Sequence, residues 1–241
     1  MIIIEKTHRI ITALDVENRA QALALVRELD QAVLFKVGLE LFTAEGPALL
    51  REIKALGKDV FLDLKLHDIP HTVGEAARIG VRHGARMMTI HTSGGAEMMA
   101  RAAASAGEES AKLGTPKPIL LGVTILTSLR SDDLRSIGMT PDTSAQVLRL
   151  AALAKASGLD GVVCSAQEIE IVRREAGPDF LIVTPGIRPA WSAAQDQKRI
   201  MTPALAVEKG SDYLVVGRPI TQAASPREAF QKIVDELVNS E

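Results

Sequence analysis

Asp63, Lys65 and Asp68 stand in Phe61-Leu-Asp-Leu-Lys-Leu-His-Asp-Ile-Pro-His-Thr72, where an apolar strand pattern abruptly acquires charge. A strand has a side-chain period of two, so Asp63 and Lys65 are expected on one face and Leu62, Leu64 and Leu66 on the other. Opposite charges held together on a rigid strand end are costly to desolvate unless they serve a purpose. The spacing Asp-x-Lys-x-x-Asp gives a row of alternating charge, suited to repelling one anion while delivering one proton. A second lysine, Lys36, interrupts the apolar run Leu34-Phe-Lys-Val-Gly38. It either snorkels to a strand end and pairs structurally, or joins Asp63 and Lys65 in a Lys-Asp-Lys array. Asp68 precedes Ile-Pro, where a helix can begin, so N-capping competes with a functional role there.

Near the other end, Tyr213-Leu-Val-Val-Gly-Arg-Pro-Ile-Thr221 reads as a strand followed by an anion-binding turn. Gly217 lets backbone amides approach a phosphate, and Arg218 supplies a bidentate charge. A solvated arginine on an ordinary turn is the plain alternative, weakened by Arg188 in Pro185-Gly-Ile-Arg188, a second substrate-binding candidate. From Pro185 to Thr202 runs a polar loop containing Trp191 and Gln197, long enough to be a lid that grips phosphate. His67, His71, His83 and His91 show no ligand spacing on one element, so no metal site is expected. No Gly-rich nucleotide loop occurs, and Gly94-Gly95 alone is weak.

These groups need a scaffold. Eight short apolar runs recur along the chain: Ile10–Leu14, Leu34–Val37, Val60–Leu64, Met87–His91, Ile119–Thr124, Gly161–Cys164, Phe180–Thr184 and Tyr213–Val216. Most lack clean alternation, as expected of parallel strands covered on both faces. Helical stretches lie between them, among them Arg19–Leu29, Pro47–Leu56 and Thr143–Ala156. Gly57, Gly84, Gly158 and Gly210 stand where helix C-terminal caps belong. Eight β-then-α units predict a single (β/α)₈ TIM barrel over residues 1–241, with an open doubly wound sheet as the structural alternative. Asp15, Lys36, Asp63, Lys65, Thr124, Thr127, Gly217 and Arg218 then fall at the C-terminal ends of strands, the face where barrel enzymes keep their chemistry.

The 241 residues suffice for one large core, and 46% of them are hydrophobic. A formal net charge of −2 leaves no basic footprint, so a nucleic-acid partner is not expected. Cys164 is the single cysteine, which excludes an internal disulfide. The opening Met1-Ile-Ile-Ile is too short for a signal peptide, and no apolar run approaches membrane-spanning length. A cytoplasmic protein without membrane association is expected.

Read together, several blocks resemble the bacterial-type orotidine 5′-phosphate decarboxylase family: Ala13-Leu-Asp15, Phe35-Lys-Val-Gly38, Phe61 to Pro70, Val123 to Ser128, Val183 to Arg188, Arg199 to Pro203 and Val216-Gly-Arg218. The resemblance runs from about Ile11 to Ala224. It implies decarboxylation of orotidine 5′-monophosphate to UMP and CO₂ without metal or cofactor. Asp15 and Lys36 would hold ribose hydroxyls, Asp63 would lie against the substrate carboxylate, and Lys65 would protonate C6. Asp68 and Thr72 would reach across a homodimer interface into the partner's site. Thr127 would meet the pyrimidine, while Gln197, Gly217 and Arg218 would hold the phosphate, with Gln195 the alternative to Gln197. Related magnesium-dependent sugar-phosphate decarboxylases and synthases share Asp-x-Lys-x-x-Asp but carry an acidic residue where this chain has Lys36.

Overall fold

A computed structural model describes residues 6–192 and 201–239. Eight strands close on themselves in sequence order, all parallel: β1 (Ile10–Ala13), β2 (Leu34–Gly38), β3 (Asp59–Leu66), β4 (Met87–His91), β5 (Ile119–Val123), β6 (Gly161–Val163), β7 (Leu181–Pro185) and β8 (Tyr213–Val216). Parallel neighbours cannot be joined by a tight turn, so a helical crossover covers the outside between successive strands. The closed ring rules out the open-sheet alternative. No helix among the described residues is long and apolar enough to cross a membrane.

The helices start and stop where side-chain chemistry dictates. Asn18, Asp142 and Ser225 cap the helices Arg19–Glu28, Thr143–Ala156 and Pro226–Val238 by accepting a backbone N–H of the first turn. Gly57, Gly84, Gly158 and Gly210 follow their helices with φ between 74° and 106°, a region open to glycine at little cost.

Two apolar clusters separate the inside of the ring from its outside. The larger fills the space between strands and helices, with Phe35, Val37, Val60, Leu62, Met88, Ile90 and Val162 turned toward it. The smaller is made of alternate strand residues: Ile11, Ala13, Leu34, Phe61, Met87, Leu121, Leu181, Val183, Tyr213 and Val215. It plugs the barrel interior, as layered side chains do in this architecture. One pleat further along these strands the residues turn polar. Ala13 leads to Asp15, Leu34 to Lys36, Phe61 to Asp63, and Met87 to Thr89. The interior is thus an apolar floor below a charged mouth.

Candidate active site

Lys36, Asp63 and Lys65 meet at that mouth. The Lys65 ammonium donates to both oxygens of Asp63 at 2.9 Å, and Lys36 Nζ lies 3.7 Å from Asp63 Oδ2. Lys36 also donates to Asp15 Oδ1 at 3.1 Å, so the row reads Asp15–Lys36–Asp63–Lys65. Its middle is the least exposed part, with side chains 12% exposed at Lys36 and 13% at Asp63 against 57% at Asp15 and 38% at Lys65. Of the two lysines, Lys65 has the more freedom. Strand pairing sets this spacing: Lys36 is in register with Ala13 on one side and Phe61 on the other, and Gly38 with Asp63. Two glycines keep the row uncrowded. A Cβ on Gly38 would come within 3.0 Å of Lys36 Nζ, and one on Gly217 within 3.2 Å of Asp15 Oδ2.

Asp63 and Lys65 converge as expected, but plain alternation is not the reason. Lys65 has φ of +52°, alone among the described non-glycine residues in being positive. The pairing of β3 with β4 slips here: Leu62 is opposite Met88, while Leu66 is opposite Ile90, so four steps on one strand match two on the other. The chain bulges through Asp63, Leu64 and Lys65. The Lys65 N–H, removed from the ladder, donates to Thr89 Oγ1 at 2.9 Å, and that hydroxyl donates to Asp63 Oδ1 at 2.9 Å. Thr89 is buried in β4 and was not among the residues singled out from the sequence. Its signal is available, as a polar residue two places after Met87 in the inward phase of a strand that opens Met-Met.

A cavity of about 180 Å³ opens beside the row, lined by Lys36, Phe61, Asp63 and Lys65 on one side and by Ile125, Thr127 and Pro185 on the other. Polar groups converge at one wall and apolar ones form the remainder, as in small-molecule sites. Cys164 also lines it, but burial, and secondarily the Glu168 carboxylate, pushes its thiol up to about 12. Burial of this kind works against a thiolate nucleophile. His91, half-buried behind Lys65, packs against His67 with ring centroids 5.4 Å apart. Desolvation, and after it the charges of His67 and Lys65, holds its imidazole below the ordinary value. A larger depression of about 550 Å³ lies at the opposite end of the barrel, beside Lys117, Asp160 and Phe180, without such a converging row.

The remaining expected residues are spread around the rim. Thr127 lines the cavity. Gly217 abuts Asp15, and Arg218 opens the short helix Arg218–Thr221 with its side chain exposed. Arg188, partly buried, follows β7, with its N–H bonded to the Met201 carbonyl at 3.1 Å. Gln195 and Gln197 lie outside the described residues, as does most of the expected lid. Asp68 does not cap the following helix. The N-cap of Pro70–Arg82 is Ile69, whose side chain has no acceptor, and Asp68 instead turns its carboxylate onto the adjacent Ile69 N–H at 2.7 Å. Asp68 and Thr72 are exposed and do not line the cavity of their own chain.

The description "Orotidine 5'-phosphate decarboxylase / HUMPS family" belongs to the family model that matches residues 8–233. A protein of Trichlorobacter lovleyi named orotidine 5′-phosphate decarboxylase is 50% identical over 235 residues, covering 97% of each chain. One of Vibrio campbellii with the same name is 50% identical over 232 residues, covering 96% of this chain and 98% of its own. Among solved structures, orotidine 5′-phosphate decarboxylase from Lactobacillus acidophilus superposes with a TM-score of 0.83 at 39% identity, covering 95% of this chain and 98% of that one. An uncharacterized conserved protein from Geobacillus kaustophilus gives 0.84 at 37% identity, covering 95% and 99%.

Proposed function

We propose a mechanism on one premise: this chain belongs to the orotidine 5′-phosphate decarboxylase / HUMPS family, and it is a carboxy-lyase that converts orotidine 5′-monophosphate to UMP and CO₂ in pyrimidine biosynthesis. The observation that carries the mechanism is the row Lys36–Asp63–Lys65 on one wall of the cavity. Breaking the bond from C6 to the carboxylate leaves an electron pair in the plane of the pyrimidine, where the ring π system cannot spread it. The barrier must then fall by electrostatics, from charge fixed in advance where charge develops. In this reading the Lys65 ammonium faces C6, stabilises the growing negative charge and gives it a proton. Asp63 lies against the departing carboxylate and orients Lys65, and some ground-state repulsion is released as neutral CO₂ leaves.

The reaction needs no metal in this account. Lys36 Nζ stands between the carboxylates of Asp15 and Asp63, 3.1 and 3.7 Å away, and supplies the positive charge that a divalent cation would otherwise bring. Asp15 and Lys36 hold the ribose, and Thr127 contacts the pyrimidine. Arg218, Gly217 and Arg188, with Gln197 from the long loop, hold the phosphate. The phosphate takes no part in the chemistry; its binding energy is realised in the transition state. The test is loss of orotidine 5′-monophosphate absorbance in excess EDTA, with the unphosphorylated nucleoside as a control. Full activity on the nucleotide and little on the nucleoside is expected. Activity that disappears with EDTA and returns with magnesium would favour the metal-dependent branch instead.

We further propose a homodimer in which Asp68 and Thr72 complete the partner's site. Both are exposed next to Ile69, an apolar side chain 65% exposed, and neither reaches its own cavity. Inactive Lys65→Ala and Asp68→Ala proteins should regain activity when mixed, because one hybrid site would carry neither lesion. Absence of recovery despite demonstrated subunit exchange would return Asp68 to its own chain. A cytoplasmic site of action is proposed on the same footing, since a phosphorylated nucleotide does not cross membranes unaided; cell fractionation checks it.

A further inference from the structure

The bulge in β3 poses a physical problem that one hydroxyl answers. A left-handed backbone is unfavourable for a non-glycine residue, and it persists only where surrounding contacts over-determine it. At Lys65 the slip between Leu62 and Leu66 has also removed the backbone N–H from the strand ladder. An N–H left unpaired in a part-buried position adds a further penalty. Thr89 is 1% exposed and sits on β4 between Met88 and Ile90, the two residues that flank the slip. Its Oγ1 accepts the Lys65 N–H at 2.9 Å and donates its single hydrogen to Asp63 Oδ1 at 2.9 Å. Asp63 in turn accepts the Lys65 ammonium on both oxygens. The hydroxyl therefore fixes both ends of the lysine, the backbone directly and the ammonium through the carboxylate.

We propose that Thr89 is the positioning residue of the proton donor, holding Lys65 in its left-handed conformation so that the ammonium stands on Asp63 at the cavity. The inference rests on the assignment of Lys65 as donor and extends it to the residue that sets its geometry. Without the hydroxyl, the strand is free to relax toward regular extended backbone. A change of phase there carries the side chain toward the other face of the sheet. The effect belongs on turnover and not on binding of the product, because ribose and phosphate are held by other groups.

Three variants test this. Thr89→Val keeps the shape and removes both hydrogen bonds; Thr89→Ala serves where the valine protein does not fold. Thr89→Ser keeps the hydroxyl. The expected result is a fall in kcat of about 30-fold or more in Thr89→Val, with the affinity for UMP within about threefold of wild type, and recovery to within about threefold in Thr89→Ser. Turnover within threefold of wild type in Thr89→Val, or equal loss in the serine and valine proteins, would overturn the positioning role. Lys65→Ala, measured alongside, separates the two levels. If it is inactive while Thr89→Val is active, only the positioning role falls. If it is active, the donor assignment falls and the positioning role with it.

Discussion

The two ends of this barrel are built from the same kinds of residue and do opposite things with them. At the N-terminal end, Asp59, Asp160 and Asp212 each stand at or just before a strand and pair with Lys54, Lys117 and Arg173. Asp160 accepts the Leu120 N–H at 2.8 Å and Asp212 the Ile182 N–H at 2.7 Å, so two of these carboxylates also tie neighbouring strands together. Arg173 spends its guanidinium on the carbonyls of Gly177, Phe180 and Gly210 as well as on Asp212. None of these six charged residues has a positive φ. At the C-terminal end, Lys36, Asp63 and Lys65 line a cavity, and Lys65 sits in the one left-handed non-glycine conformation among the described residues. Ion pairs that satisfy backbone groups in relaxed geometry hold a fold. An ion pair that requires strain and faces an open space is there for something that enters it.

The sharpest way to break this contrast is to remove one charge from each end. Lys65→Ala should lower kcat/KM by at least roughly a thousandfold, the typical worth of a preorganised charge, while the unfolding midpoint in urea stays close to wild type. Arg173→Ala should do the reverse, losing about 2–4 kcal/mol of stability because it strands Asp212 and three carbonyls, with turnover per folded molecule within about twofold. A large activity loss from Arg173→Ala in fully folded protein would erase the distinction between the ends.

Strain at Lys65 gives a smaller and more specific effect. At an ordinary strand position alanine is more stable than glycine by roughly 0.5–1 kcal/mol. At position 65 the order should invert, with Lys65→Gly more stable than Lys65→Ala by about 1 kcal/mol in equilibrium unfolding, because φ there is +52°. The usual order would mean that the strand relaxes freely and stores nothing. The smallest effect concerns His91, whose imidazole burial holds below its ordinary 6.5. The unfolded chain therefore binds its proton first as pH falls. The folded state keeps its full advantage above about pH 6.5 and loses it as pH drops from there toward the depressed folded value. His91→Gln should flatten that part of the stability–pH curve, and an unchanged slope would show that His91 does not contribute to it. His83, also lowered by burial and by Arg51, supplies a residual slope of the same sign.

Much of this was legible in the sequence, for identifiable reasons. The strands are legible because both faces of a parallel barrel strand are covered, so runs such as Tyr213–Val216 are buried throughout. Lys36 and Asp63 stood out because charge inside such a run is expensive. The Thr143–Ala156 helix is legible with its observed bounds from its run of Ala and Leu. What stayed hidden was register. Leu62-Asp-Leu-Lys-Leu66 alternates perfectly, and nothing in that alternation says that two residues of β3 bulge out against β4. The bulge depends on a threonine some two dozen positions away, and threonine is an ordinary strand residue whose type carries no warning. Asp68 fits cap and functional group equally in the sequence, because Asp before Ile-Pro suits both; the carboxylate's turn onto the Ile69 N–H decides against the cap.

The central claim is that Lys65 moves a proton to and from C6 of the pyrimidine. Incubating the enzyme with UMP in D₂O and following the C6 hydrogen by NMR tests that step apart from loss of CO₂. The account predicts that the wild-type protein exchanges this hydrogen for deuterium and that Lys65→Ala, at concentrations saturating for UMP, does not. Exchange by Lys65→Ala at the wild-type rate would contradict it.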